Sequence, residues 1–138
     1  MLKVLIVEND LMIADFVEDN LVTAGYAVCG IATTVADAIA LGAQHNPDLG
    51  VFDLRLDDGE SGTVAASALR RHGKIGVLYA TASDIHPLLR HAEGEGYIVK
   101  PYTASELVAA LGIVHGVLHG RPAPTKLPPK FRLLNVSI

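Results

Sequence analysis

Cysteine is almost absent from this sequence, which has one, Cys29, among 138 residues. A single cysteine excludes an internal disulfide. It lies among the apolar residues Ala27, Val28 and Ile31, which favours a small buried hydrophobe over a reactive thiol.

Basic charge and long apolar runs are also scarce. Lys and Arg number 11 against 15 Asp and Glu, for a net charge of −4 and a pI near 5.8. Proteins that bind nucleic acid gather positive charge on one face, so nucleic acid is not expected as a direct partner. Apolar stretches such as 4–7 are far shorter than the roughly 20 residues that span a bilayer, and no cationic segment leads into an apolar secretory core. These absences predict a cytoplasmic protein without a membrane partner.

Short β-branched runs alternate with segments of helical spacing along the chain. Strands are predicted at residues 3–7, 26–31, 49–54, 75–80 and 97–99. Helices are predicted from Leu11 towards Gly25, from Thr34 to Asn46, over 63–71, after Ser83 or Asp84, and from Thr103 through Val114. Five such repeats with short connections imply right-handed crossovers. The sequence therefore predicts an α/β fold, a doubly wound five-stranded parallel sheet with helices on both faces.

Two of these helices have additional start signals. Pro87 fits the first turn of the fourth helix, where no backbone donor is needed. Thr103 and Glu106 form a capping box at the start of the fifth, because each side chain can bond the backbone at the other residue.

Polar side chains follow the predicted strands at their carboxyl ends. They are Glu8, Asn9 and Asp10 after the first strand, Asp53 in the third, Thr81 after the fourth, and Lys100 with Pro101 after the fifth. In doubly wound folds the site lies at this edge, near the point where strand order reverses. We therefore expect these side chains to converge.

The predicted cluster suits phosphoryl chemistry. Neighbouring carboxylates repel one another unless a hard cation neutralises them, and Mg²⁺ prefers oxygen ligands while keeping positions open for phosphoryl oxygens. In this interpretation Asp53 is the nucleophile toward phosphorus, Lys100 supplies a mobile positive charge and Thr81 a hydroxyl donor. A phosphoryl group would draw Thr81 and Lys100 inward, and that movement is the predicted switch.

Four segments resemble the signature blocks of bacterial two-component response-regulator receiver domains: residues 4–10, 53–56, 79–82 and 96–101. The resemblance covers residues 1–119 and implies a flavodoxin-like receiver fold like that of single-domain chemotaxis regulators. It implies a phosphorelay switch in which Asp53 accepts a phosphoryl group from a sensor histidine kinase or phosphotransfer protein. The domain would act through an unidentified downstream protein, with no enzyme activity beyond self-phosphorylation and slow self-dephosphorylation.

The resemblance also implies individual roles at the site. Asp53 is the phosphoacceptor, Thr81 the switch hydroxyl and Lys100 the family's lysine. Tyr97 matches a rotating aromatic that turns inward with Thr81 and changes the surface made by the fourth helix, fifth strand and fifth helix. The implied Mg²⁺ ligands are Glu8, Asn9, Asp53 and the backbone carbonyl of Arg55.

The sequence departs from the family pattern at two places. Asn9 stands where a second acid is usual, so we expect weaker Mg²⁺ binding unless Asp10 supplies the ligand instead. The loop 57–62 is unusually acidic and lacks the common proline.

Other interpretations remain open from the sequence. Thr81 could be a turn hydroxyl, and Tyr97 an amphipathic packing residue. A constitutive receiver-fold interaction module that has lost phosphorylation is the main alternative function, with Asn9 as its first sign. A hydrolase with an Asp nucleophile is a third, against which the missing second acid-x-acid pair argues. His115 and His119 share a helical face, but no nearby Cys or carboxylate completes a zinc site.

The C-terminal extension, residues 120–138, is Pro-rich and then apolar from Phe131 onward. About eighteen residues are too few for an independent core. We expect the extension either to reach a second subunit as a homodimerisation arm or to fold back on its own domain.

Overall fold

A computed structural model of the protein describes residues 1–83 and 86–134. Its strands are β1 (Lys3–Val7), β2 (Ala27–Ala32), β3 (Leu49–Asp53), β4 (Gly76–Thr81), β5 (Gly96–Val99) and β6 (Phe131–Leu133). They form one sheet in the order β2-β1-β3-β4-β5-β6. The helices are α1 (Leu11–Thr23), α2 (Val35–His45), α3 (Gly62–Arg70) and α4 (Ala104–Leu118). Strands β1 to β5 are parallel, which confirms the predicted doubly wound α/β fold.

The central strands are buried on both faces because apolar side chains alternate between two core layers. Val4 and Ile6 of β1 pack with residues of α1 and α4, whereas Leu5 and Val7 pack with residues of α2 and α3. This two-sided burial explains why β1 is an uninterrupted apolar run. Among the described residues, no helix is both long and apolar enough to cross a bilayer.

Side-chain caps fix where the helices begin. Thr34 accepts a hydrogen bond from the backbone of Asp37 at the start of α2, and Thr103 and Glu106 form the predicted capping box of α4. Asn46, in a left-handed conformation with φ of 48°, ends α2 at the predicted position. Asp10 caps α1 through its side-chain oxygen.

The predicted fourth helix is wrong for the described part of this segment. No helix begins at Ser83, Asp84 lies outside the described residues, and Pro87–Leu89 forms only a single 3₁₀ turn. Leu89 and Ala92, three residues apart, are the buried apolar positions here, a spacing that matches the three-residue turn of a 3₁₀ helix. Backbone bonds from Leu89 to His86 and from Ala92 to Leu89 have the same spacing.

The sixth strand was not predicted. Residues 131–133 of the extension pair antiparallel with β5 of the same chain, as the fold-back alternative expects. The side chain of Phe131 is fully buried, in the same core layer as α1 and α4. Exchange of this strand between two copies stays a prediction, and it would use the same contacts.

Candidate functional site

The order of the sheet reverses between β1 and β3, which lie side by side although β2 separates them in sequence. Val7, the last residue of β1, pairs with Phe52 of β3. Glu8 and Asp53 follow these two residues, so the register places them as neighbours at the carboxyl edge of the sheet. This is the point where doubly wound folds bind their ligands.

Lys100 reaches both carboxylates from the end of β5. Its Nζ lies 3.2 Å from Glu8 Oε1 and 3.5 Å from Asp53 Oδ1. Its backbone N–H donates to the carbonyl of Thr81 at 2.7 Å, and its peptide bond with Pro101 is cis. Three residues from the ends of three strands thus form one ion-paired cluster.

Glu8 is the more buried acid of the pair, with 5% of its surface exposed. Burial, followed by the hydrogen bond and the charge of Asp53, raises the pKa of Glu8 from 4.5 to about 7. Lys100 and the backbone N–H of Asp10 oppose this shift by stabilising the carboxylate. The cluster therefore has more acid than its one cation neutralises, an arrangement that favours a bound divalent cation.

The donor set suits Mg²⁺ held by two carboxylates, the number this ion commonly takes from a protein while keeping several waters. Asp10 is committed elsewhere, since its Oδ1 accepts from the backbone of Met12 and Ile13 at 3.0 and 3.3 Å. Within residues 1–83 and 86–134, no group of three or more His, Cys, Asp or Glu could hold a metal. Any further ligands must come from water or neutral oxygens, for which the exposed Asn9 and Arg55 are placed beside the two acids in sequence.

Thr81 adjoins the cluster through the bond of its carbonyl with Lys100, whereas Tyr97 lies three residues before Lys100 on β5. Thr81 is 2% exposed, and its hydroxyl donates to the carbonyl of Ser83 at 2.9 Å and accepts from the Ser83 N–H at 3.2 Å. Tyr97 is half-buried on β5, packed at the margin of the core layer that contains α2 and α3. In this conformation the Thr81 hydroxyl bonds the backbone of the turn after β4.

The loop after β3 joins this strand closely to α3. A Cβ added at Gly62 would lie 1.9 Å from the backbone oxygen of Asp53, so only glycine permits this close approach. Asp58 of the acidic loop accepts from the Val35 N–H at 3.0 Å and so joins the loop to the start of α2. At least one acidic residue of this loop, Asp58, thus makes a structural contact.

Tyr102 is a site residue that our sequence analysis missed. Burial and the nearby charges of Glu8 and Asp53 raise the pKa of Tyr102 to about 12. Its ring lines an apolar groove of about 200 Å³ beside the cluster, with Ile13, Phe16, Lys100 and Pro101. Its position directly after Lys100-Pro101 was the only available signal.

Comparisons with known proteins agree with this geometry. The sequence matches the response regulator receiver domain family over residues 4–112. It is 33% identical over 112 residues to the transcriptional regulatory protein PdtaR of Mycobacterium tuberculosis H37Rv, covering 79% of this chain and 54% of PdtaR. The chain therefore spans about half the length of the curated relatives it matches.

Solved structures share the fold over most of the chain. The signal receiver domain of a modulated diguanylate cyclase from Desulfovibrio desulfuricans G20 has a TM-score of 0.78 at 23% identity, covering 86% of this chain and 97% of that one. The N-terminal domain of a response regulator/sensory box/GGDEF protein from Carboxydothermus hydrogenoformans has a TM-score of 0.75 at 26% identity, covering 85% and 96%. The chain belongs to the response regulator receiver domain family.

Proposed function

We propose that the protein is a phosphorelay switch in which Asp53 accepts a phosphoryl group from the phosphohistidine of a sensor kinase or phosphotransfer protein. The observation that carries this proposal is the placement of Lys100 between the carboxylates of Glu8 and Asp53. A cation held beside a partly accessible carboxylate at a sheet edge can stabilise the charge that develops in phosphoryl transfer.

In the proposed reaction, an Asp53 carboxylate oxygen attacks phosphorus. The new O–P bond forms as the histidine N–P bond breaks, and the imidazole leaves with a proton from solvent. Lys100 balances negative charge on the phosphoryl oxygens. Mg²⁺ held by Glu8, Asp53, the Asn9 amide oxygen and the Arg55 carbonyl would neutralise further charge when bound. Attack of water on the aspartyl phosphate later returns the carboxylate and inorganic phosphate.

The switch follows from the charge added at Asp53. A phosphoryl group brings about 1.5 to 2 negative charges and three strong acceptors. The Thr81 hydroxyl leaves the backbone of Ser83 for one of these acceptors, and Tyr97 turns into the space that Thr81 vacates. A downstream protein then binds the altered surface around β5.

The exposed apolar surface of α1 supports kinase docking beside the site. Leu11 and Met12 are 60% and 83% exposed, and Phe16 is 45% exposed. Phe16 lines the apolar groove with Ile13 and Tyr102, next to Lys100, and Leu11 and Met12 precede Ile13 on α1. A helical partner bound there would bring its phosphohistidine to the carboxyl edge of the sheet.

Intact mass after incubation with acetyl phosphate tests the proposal. Wild-type protein with Mg²⁺ should gain one phosphoryl group, and chelation of the metal should prevent it. Asp53→Asn should gain none under the same conditions. If the wild type gains no mass with Mg²⁺, Mn²⁺ or a phosphorylated kinase, the proposal fails.

The second candidate is a constitutive interaction module. It is favoured by Asn9 at a position where an acid is usual and by the commitment of Asp10 to the α1 cap. Absence of labelling with a stable fold, and partner binding unchanged by Asp53→Asn, would support this alternative.

A further inference from the structure

The edge of β5 is occupied by the C-terminal segment of the same chain, residues 130–134. Three residue pairs join β5 and β6, with Gly96 opposite Leu133 and Ile98 opposite Phe131. Two backbone bonds extend this contact, from Val99 N–H to the Lys130 carbonyl and from Leu134 N–H to the Glu95 carbonyl, both 3.0 Å. Such strand addition satisfies the backbone groups of an edge strand and is a common mode of peptide recognition.

The fit depends on one aromatic anchor over one glycine. A Cβ added at Gly96 would lie 2.5 Å from the ring of Phe131 and 2.9 Å from the Arg132 carbonyl. The Phe131 side chain is fully buried, whereas Arg132 is exposed. The β5 edge is therefore shaped for an extended segment with an aromatic residue at this register.

Departure of the segment from the edge would break no helix and no strand other than β6. Between the end of α4 and β6 the chain forms no helix or strand within residues 119–130, and it contains Pro122, Pro124, Pro128 and Pro129. A strand of three residues adds few backbone bonds to the sheet, so the segment is held mainly by the buried ring of Phe131.

Strand β5 also connects this segment to the phosphoacceptor cluster. Val99 bonds Lys130 through its N–H and pairs with Thr81 in the sheet. The next residue, Lys100, bonds the Thr81 carbonyl and extends its ammonium to Glu8 and Asp53. Tyr97 lies opposite Arg132. The groups proposed to move on phosphorylation, Thr81, Lys100 and Tyr97, are therefore on or bonded to the strand that holds the segment.

We propose that residues 130–134 are a built-in ligand of the β5 edge, and that phosphorylation of Asp53 releases them and frees the edge for strand addition. This inference rests on the proposed function. The segment occupies the edge in the unphosphorylated protein and so keeps the surface around Tyr97 covered until Asp53 is phosphorylated.

Amide hydrogen exchange of the full chain, followed by NMR, tests the release. On addition of acetyl phosphate and Mg²⁺, the amides of Val99 and Leu134 should exchange roughly 5- to 150-fold faster, the range of typical allosteric couplings. Amides of the β1–β3 ladder should keep their protection. Asp53→Asn should show no change at any of these positions.

Two variants provide the reference for a released segment. Phe131→Ala removes the anchor, and Gly96→Ala displaces it from the other strand, so both should give fast exchange at Val99 and Leu134 without phosphodonor. Lys126→Ala, at an exposed position of the connection before this segment, should behave as the wild type.

Intact mass of the same sample separates the two ways to fail. Phosphorylated protein whose Val99 and Leu134 amides exchange at the old rate, or more slowly, overturns the release while leaving the proposed function standing. Absence of phosphorylation overturns the proposed function, and the release with it, because the trigger is then missing.

Discussion

Lys100 shows how a single side chain organises the site. Its ammonium lies within 3.5 Å of two carboxylates, one of which belongs to the nearly buried Glu8. The charge of Asp53 disfavours ionisation of Glu8, and the ammonium of Lys100 opposes this effect, so the cation stabilises the pair of carboxylates. The same charge is available to a phosphoryl group on Asp53.

Replacing Lys100 with Ala should slow phosphorylation of Asp53. Loss of one electrostatic donor at a reacting centre typically costs about 100-fold or more in rate. The rate of mass gain from acetyl phosphate at fixed Mg²⁺ measures this effect. Lys74→Ala is the matched control, because Lys74 is exposed and precedes β4 at the opposite edge of the sheet. Equal rates for the two variants would contradict the role given to Lys100.

The tyrosines give a pH dependence of stability. Burial raises the pKa of Tyr79, whose hydroxyl donates to the Glu93 carbonyl, and raises the pKa of Tyr102 to about 12. The folded protein therefore holds these protons to higher pH than the unfolded chain does, and stability should fall as pH rises above about 10. Urea unfolding at about pH 9 and about pH 11 measures this fall. Tyr102→Phe should reduce it, and phenolate absorbance titrating entirely near pH 10 in folded protein would contradict the burial argument.

Residues at strand ends could be predicted, and residues placed by packing could not. Glu8, Asp53 and Lys100 follow apolar runs, and parallel strands bring their carboxyl ends to one edge, so their proximity follows from the fold. Tyr102 and Gly62 owe their positions to a groove against α1 and to a close approach of two backbones. Neither feature leaves a periodic pattern in the sequence.

At the scale of elements, the start of α1 shows a division of labour between Asn9 and Asp10. Asp10 accepts two backbone N–H groups and satisfies donors that a helix leaves unpaired at its first turn. Asp10 thus caps α1, although it lies close to the site in sequence. The neutral Asn9 lies nearer to Glu8 in sequence.

Two substitutions at Asp10 separate capping from metal binding. Asp10→Ala should lower the free energy of unfolding by about 1 kcal/mol, whereas Asp10→Asn should keep the cap within a few tenths. Urea unfolding without metal measures both. Because we place Asp10 outside the metal site, Asp10→Asn should retain Mg²⁺-dependent labelling. Loss of labelling in this variant with unchanged stability would make Asp10 a ligand.

The segment after β4 shows why a helix was predicted there and not found. A potential N-cap and Pro87 are start signals for α and 3₁₀ helices alike. Whether an α-helix forms depends on how many residues of the segment are bonded to other elements of the fold. Glu93 bonds Ser67 and Tyr79, and the Glu95 N–H donates to the Val77 carbonyl, so the chain is fixed to α3 and β4 soon after Leu89. Such contacts between distant residues cannot be read from local sequence.

At the scale of the whole molecule, five parallel strands followed from the alternation of patterns, but the sixth did not. Only Phe131, Arg132 and Leu133 form it, and three residues carry no reliable periodicity. The apolar character of the extension predicted docking, while the choice between its own sheet and a second copy depends on the geometry of the connection.

Truncation of the anchor tests the contribution of the docked extension to stability. Phe→Ala in a core typically costs about 3–5 kcal/mol, but a terminal segment can detach, which limits the loss to its docking free energy. Phe131→Ala should therefore destabilise by less than about 3 kcal/mol, and by as much as deletion of residues 121–138. Lys126→Ala, at an exposed position of the connection, should change stability by less than about 0.5 kcal/mol. A Phe131→Ala cost well above that of the deletion would contradict this account.

The deletion also tests arm exchange between subunits. If the extension were exchanged, the full chain would be a dimer by light scattering, and removal of residues 121–138 would make it a monomer. The fold-back arrangement predicts the same state for both proteins.

The proposed function requires the carboxylate of Asp53 to be the group that receives phosphorus. Borohydride reduction after incubation with acetyl phosphate and Mg²⁺ tests it most directly, because it converts an aspartyl phosphate to homoserine at the modified position. Peptide mass spectrometry should find homoserine at position 53, and none when Mg²⁺ is chelated. Homoserine at the position of another aspartate would contradict the assignment of Asp53 as the phosphoacceptor. So would the absence of homoserine from protein incubated with a competent phosphodonor.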